Sequence, residues 1–300
     1  MRYSILLLML GFNCFYSSAQ TRYVDRVFSG SKIKTLTYSI RAKDTLQLDV
    51  YQPKRDQLEK RPLFVIVHGG GFTSGSRNEN SMVTLAQGIA KRGYVVASID
   101  YRLATNKKVF SCQSPLLEGF ETFNNAEEDV RDALLYLIKY KDNFKIDASK
   151  IILFGSSAGA EIVLNIAYNK TAFTQKTDKY KDLKIAGLIA VSGAIPNSQF
   201  IDKSNAIPTV LFHGVDDKVI PYNQGAHHNC SKTAPGYFVM DGSKKIAQKL
   251  ESLNTSYMLY SFKNRAHNIF NLPEEDNQEA FSFINKVVFE NMDCQIKISK

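Results

Sequence analysis

Two serines stand side by side between glycines in the stretch Phe154–Glu161, FGSSAGAE. A G-x-S-x-G pentapeptide carries chemistry when a strand runs into it and a helix leaves it, because the sharp turn between them holds the central residue in a strained conformation. Glycines at 155 and 159 relieve the crowding such a turn creates. The frame assigns the central position to Ser157 and leaves Ser156 on a flank. A serine hydroxyl is a poor nucleophile alone; it needs an imidazole to take its proton and a carboxylate to orient that imidazole. The chain has five histidines: His68, His213, His227, His228 and His267. His267 alone follows the last predicted strand with an acid available upstream, at Asp216 or Asp217.

These groups need elements to bring them together. Tyr38–Ile40 and Thr45–Val50 alternate apolar and polar around Ala42–Asp44, as a hairpin does. PLFVIVHGGG is then an apolar, β-branched run ending in glycines, which suits a strand buried on both faces of a parallel sheet. YVVASIDY, KIILFGSSAG, IAGLIAVSG, TVLFHGVDD and YMLYSF read as further strands. Helical spacing marks Met82–Lys91, Ala126–Tyr140, Ala160–Tyr168 and Ser243–Leu253, the last with a cap near Asp241–Ser243, and Glu279–Glu290 closes the chain as a helix. Residues 104–125, with Cys112, Pro115 and Gly119, read as irregular. Alternating strands and helices predict an α/β fold: a mostly parallel central sheet with an N-terminal antiparallel hairpin and helices on both faces. With no linker-like stretch, residues 20–300 read as a single domain. In such sheets ligands bind beyond the carboxyl ends of the strands. Four of those ends carry polar or glycine-rich groups: His68–Phe72, Gly155–Gly159, His213–Pro221 and Lys263–His267.

Taken together, HGGGF after a strand, GSSAG at a strand–helix elbow, HGVDDKVIP and a late histidine resemble the carboxylesterase branch of the α/β-hydrolase superfamily. The chain is similar to hormone-sensitive-lipase-like and bacterial acetyl and feruloyl esterases. IDYRL at Ile99–Leu103 matches a stretch common in that group, and the likeness covers essentially residues 20–300. The resemblance implies Ser157 as nucleophile, His267 as general base and then acid, and Asp217 as the orienting carboxylate, with Asp216 left as a turn residue. It also implies an oxyanion hole made by the backbone N–H groups of Gly70, Gly71 and Ala158. The chain departs from the pattern at Ser156, where many relatives have Asp, at Ala266, where glycine is frequent, and at Ile220 in place of Val. The expected function is a serine carboxylester hydrolase acting on short-chain acyl esters, such as acetyl or feruloyl groups on carbohydrates. Its partner would be a small-molecule or polysaccharide-linked ester, and the chemistry requires no metal or cofactor. The rival readings are a prolyl-oligopeptidase-like peptidase, which normally carries a large propeller for which this chain has no room, and a catalytically silent binding protein on the same scaffold.

Other candidates have plainer readings. His68 is expected to brace the HGGG loop, His213 to be structural, and Tyr101 and Arg102 to brace the cleft. Glu161 opens the helix after the elbow, where a carboxylate favours the helix dipole. Asp129 and Asp132 lie on an amphipathic helix and are expected to be solvated or paired. His227, His228 and Cys230 invite a zinc reading, but no second ligand pair stands at suitable spacing; a lid or entrance loop with a disulfide is preferred.

Composition limits the remaining classes. At 300 residues and 44% hydrophobic, the chain can bury a full core. MRYSILLLMLGFNCFYSSAQ has a basic start, a short apolar run and small residues before Gln20, the layout of a signal peptide occupying residues 1–19, so export to the periplasm or the exterior is expected. No other stretch suggests a membrane span. The formal charge is +9, with 38 basic and 29 acidic residues; removing Arg2 with the signal segment leaves +8. The basic residues are scattered, so nucleic-acid recognition is not expected. Three cysteines then remain, and Cys112 and Cys230, both in loop-like stretches, are the expected disulfide pair.

Overall fold

The structure, a computed structural model, describes residues 20–41, 44–169, 177–180 and 182–300. The expected signal segment, residues 1–19, lies outside the described residues, as do Ala42 and Lys43 of the hairpin turn. Strands β1 (Ser31–Arg41) and β2 (Asp44–Pro53) form the antiparallel hairpin. There follow β3 (Arg61–Val67), α1 (Asn80–Ala90), β4 (Val95–Ile99), α2 (Leu116–Lys139), the short α3 (Lys141–Phe144), β5 (Ile146–Ser156) and α4 (Ala158–Tyr168). Next come β6 (Gly187–Val191), β7 (Ala194–Ile195), β8 (Thr209–Gly214), β9 (Gln224–Ala226) and β10 (Val239–Gly242). Helix α5 (Ser243–Ser252), β11 (Tyr257–Phe262), α6 (Glu274–Ile284) and β12 (Gln295–Ser299) complete the order.

Nine strands make one sheet in the order β1-β2-β4-β3-β5-β6-β8-β11-β12. Only β2 runs against its neighbours; β4 through β12 are parallel. Every residue of β3 is buried, and its side chains divide between the two faces as the pleat requires. Leu63, Val65 and Val67 join the cluster that includes apolar residues of α2, α4 and α5, whereas Phe64 and Ile66 join the cluster of α1 and α6. Because the central strands are parallel, the carboxyl ends of β3, β5, β8 and β11 open at the same edge of the sheet. The four polar strand ends are therefore neighbours. A separate small antiparallel sheet, β7-β10-β9, carries the segment containing His227.

Three expectations need correction. Helix α2 begins at Leu116, ten residues earlier than its apolar stripe suggests. Pro115 sits at the capping position, where a missing N–H costs nothing, and Gly119 is packed so closely that a β-carbon there would lie 2.9 Å from the Phe110 ring. The chain ends in a strand, not a helix: α6 runs through a π turn at Asn285–Phe289, and QIKIS then adds β12 parallel to β11. Helix α5 has its cap position at Gly242, inside the expected stretch Asp241–Ser243, but no side chain caps it. Among the described residues, no helix is long and apolar enough to cross a membrane.

Cys112 and Cys230 are joined as a disulfide across 118 residues, tying the segment before α2 to the turn that follows β9. The Gly236 N–H donates to Cys112 O at 3.0 Å beside it. A bridge closing so long a loop restricts the unfolded chain strongly, by about 2–5 kcal/mol. The double variant Cys112→Ser/Cys230→Ser should lose stability of about that size, read as a lowered Tm. Reductant should lower the wild-type Tm and leave the variant's unaltered; equal melting of the two proteins would contradict the bridge's role.

Candidate active site

Ser157 sits between β5 and α4 with φ 53° and ψ −124°, a left-handed conformation that a non-glycine residue adopts only when its surroundings enforce it. Its N–H donates to Val191 O on β6 at 2.8 Å. The flanking glycines are required by backbone contact. A β-carbon at Gly155 would lie 2.1 Å from Gly159 O, and one at Gly159 would lie 2.2 Å from Val67 O. The turn aims the Ser157 hydroxyl at the edge where His267 arrives: Ser157 Oγ and His267 Nε2 are 2.8 Å apart. Ser156 also lines the cleft, but among the described residues its hydroxyl makes no hydrogen bond to His267.

His267 Nδ1 donates to Asp217 Oδ2 at 2.7 Å, which fixes Nε2 as the nitrogen free to accept from Ser157. The other carboxylate oxygen, Asp217 Oδ1, accepts from the N–H groups of Val219 and Ile220 at 2.8 and 3.0 Å. His213 is fully buried behind it. His213 Nε2 faces two acceptors, Ile220 O at 3.1 Å and Asp217 Oδ2 at 3.3 Å, so that nitrogen carries hydrogen and Nδ1 accepts from Ser243 Oγ at 2.8 Å. Burial alone would push the Asp217 carboxyl up, but hydrogen bonds from His213 and His267 outweigh it and hold the group well below the usual carboxylate range. Asp216 is exposed and donates its N–H to Arg265 O at 3.0 Å, a turn role. Gly214 makes that turn possible, since a β-carbon there would lie 2.3 Å from Ala266 O.

On the other side of Ser157 lies the glycine loop after β3. Gly70 and Gly71 have φ of 107° and 58°. Gly70 O accepts N–H bonds from Thr73 and Ser74, both at 3.1 Å. Among the described residues the N–H groups of Gly70, Gly71 and Ala158 have no acceptor, and all three residues line the cleft with Ser157 and His267. His68 Nδ1 donates to Gly69 O at 2.8 Å and its ring stacks on Tyr101 at 4.3 Å. Tyr101 Oη donates to His68 O at 3.0 Å. Burial pushes the His68 imidazole below its ordinary pKa, so it braces the loop as a neutral ring. Arg102 is drawn back to Asp129, with Nε 2.7 Å from Oδ2, and Asp132 pairs with Arg41, Lys179 and Tyr180. These acids are paired, not solvated.

The cleft encloses about 960 Å³. Its wall includes His227 and His228, in keeping with the entrance loop expected there, and Glu161, which sequence alone gave little reason to place in the cleft. His227 and His228 lie on the turn held by Cys230, whose sulfur is committed to the disulfide. Among the described residues, no group of three or more His, Cys, Asp or Glu is arranged to hold a metal ion.

Against known families, the BD-FAE profile matches residues 48–198 of the 300, from β2 to the residues after β7. The chain belongs to the BD-FAE family. It is similar to the chlorogenic acid esterase of Aspergillus niger, 33% identical over 162 residues, which are 52% of this chain and 28% of that one. It is also similar to gut esterase 1 of Caenorhabditis elegans, 26% identical over 173 residues, 58% of this chain and 29% of that one. The matched stretch thus spans less than a third of either relative. Among solved structures, esterase 2 of Thermogutta terrifontis superposes with a TM-score of 0.65 at 18% identity, covering 87% of this chain and 96% of that one. The fold is that of an α/β hydrolase, and the BD-FAE match places the chain in the carboxylesterase branch of that superfamily.

The depressed pKa of Asp217 sets a pH dependence. A carboxyl whose folded pKa lies below its unfolded value contributes stability that is complete above the unfolded value, about 3.9, and is lost as pH falls through the folded one. Asp217→Asn should therefore lower the Tm at pH 7, and most of that gap to wild type should persist at about pH 4 and close only in stronger acid. Thermal melts of both proteins across this range check it; a gap already closed at pH 4 would contradict the arrangement.

Proposed function

We propose that the protein is a serine carboxylester hydrolase. The observation that carries this reading is the unbroken hydrogen-bonded relay from Ser157 Oγ through His267 to Asp217, beside backbone N–H groups with no acceptor of their own. Ser157 Oγ attacks the ester carbonyl carbon while His267 Nε2 takes its proton. The carbonyl oxygen, now an anion, accepts hydrogen bonds from Gly70, Gly71 and Ala158, each such donor contributing roughly 3–4 kcal/mol to the transition state. The C–O bond to the alcohol breaks as His267 returns the proton to the departing oxygen. Water then attacks the acyl-serine with His267 as base, releasing the carboxylic acid and free Ser157. Asp217, ionised throughout, keeps Nε2 the accepting nitrogen and stabilises the imidazolium between the two proton transfers.

We further read the substrates as short-chain acyl esters, such as acetyl or feruloyl groups on carbohydrates, met outside the cytoplasm after removal of residues 1–19. The similarity to a chlorogenic acid esterase supports an acyl-ester substrate, and the open cleft of about 960 Å³ is roomy enough for a sugar-linked ester.

Turnover of p-nitrophenyl acetate tests the assignment. Ser157→Ala should lower kcat by on the order of 10⁵–10⁶, whereas Ser156→Ala should keep most of it. Full activity in Ser157→Ala would remove Ser157 from the role, and a wild-type protein that hydrolyses no ester would favour the silent binding protein.

A further inference from the structure

Among the described residues every buried acid but one has at least one carboxylate oxygen held by a hydrogen bond, although Glu127 Oε2, Asp129 Oδ1 and Asp276 Oδ2 have no hydrogen-bond partner. Asp217 accepts four contacts, from two backbone N–H groups and two imidazoles. Asp241 accepts from Ser198 N, Ser198 Oγ and Gln224 Nε2 at 2.7–2.9 Å. Glu127 takes two bonds from Arg131, and Asp129 is held by Arg102. Glu161 is equally buried, at 3% exposure, yet among the described residues its carboxylate accepts no hydrogen bond. His227 Nε2 lies 3.4 Å from Glu161 Oε1. A desolvated carboxylate with open lone pairs is costly to keep, and the dipole of α4 attracts its charge without filling those lone pairs.

Its position gives that openness a use. Glu161 follows Ser157 by one turn of α4, about 6 Å along the axis, and lines the cleft with Ser157, His227 and His267. His227 is itself 7% exposed and firmly held. Its N–H donates to Phe238 O at 2.8 Å, its ring meets Phe110 edge-on at 5.7 Å, and Cys230 anchors its turn through the disulfide. The pair is a polar patch in a cleft that Phe72, Phe110 and Ile220 also line.

We propose that Glu161 and His227 form a subsite for a hydroxyl group of the substrate, on the carbon next to the one that bears the scissile ester. The carboxylate accepts the hydroxyl hydrogen, and His227 holds the carboxylate on its other side. One helical turn from the nucleophile is the reach of a neighbouring hydroxyl, as in a partly acylated vicinal diol of a sugar; a phenolic hydroxyl at the far end of an aromatic acyl group extends well past it. The subsite rests on the reading of Ser157 as nucleophile and refines it to the substrate class.

Hydrolysis of 2-hydroxyethyl acetate and 2-methoxyethyl acetate, followed by titration of released acid, tests the subsite, because methylation replaces the donated hydrogen with a methyl group. Wild type should favour the hydroxyl ester in kcat/KM by about tenfold or more. Glu161→Leu should bring that ratio close to one, and His227→Phe should reduce it. The wild-type ratio decides the matter even where a variant fails to fold. Hydrolysis of both esters at equal kcat/KM, or an unchanged ratio in Glu161→Leu, overturns the subsite and leaves the esterase reading standing. Hydrolysis of neither ester overturns both.

Discussion

The whole site depends on one backbone approach, that of the first turn of α4 onto the end of β3. Gly159 lies so close to Val67 O that no side chain fits between them. That contact sets the elbow of Ser157 beside the glycine loop Gly69–Gly71, so the proposed nucleophile and the candidate oxyanion donors are fixed by the same packing. The strain at Ser157 is sustained by elements that are themselves fully buried: β3 and β6, which flank β5 on either side, and α4, every residue of which is buried. A shift of α4 by an ångström would misplace Ser157, Ala158 N–H and Glu161 together, because all three ride on its first turn.

The acid and the base arrive from the other half of the sheet by the same device. Gly214 admits the backbone of Arg265 and Ala266 against the end of β8, and the loop after β11 thereby delivers His267 within reach of Asp217. Burying Asp217 would favour its neutral form, which could not stabilise an imidazolium. The protein offsets this with donors placed around both oxygens, and His213, held in turn by Ser243 at the start of α5, is one of them. The plain structural part expected of His213 is thus a positioning part, exerted through Asp217.

Much of this was legible because glycines and strand ends are local signals. A β-branched run ending in HGGG or GSSAG shows both the strand and the turn that must follow, and parallel order then gathers the ends. Less local features were hidden. Pro115 and Gly119 read as breakers, yet one caps α2 and the other makes room for Phe110. QIKIS alternates as a strand should, but five residues with three charged or polar outward positions give a weak signal until β11 offers an edge to pair with. Glu161 looked like a helix-dipole residue because its neighbour His227 comes from a distant turn. Only the folded chain reveals that, among the described residues, this buried carboxylate accepts no hydrogen bond on either oxygen.

The central claim is that packing, not sequence alone, makes Ser157 the activated nucleophile of the two adjacent serines. Diisopropyl fluorophosphate tests it directly, since an activated serine oxygen displaces fluoride from phosphorus and keeps the phosphoryl group. Mass spectrometry of the treated protein should find one diisopropylphosphoryl group per chain, on Ser157, forming far more slowly in His267→Ala. A group on Ser156, or no adduct at all, would contradict the account.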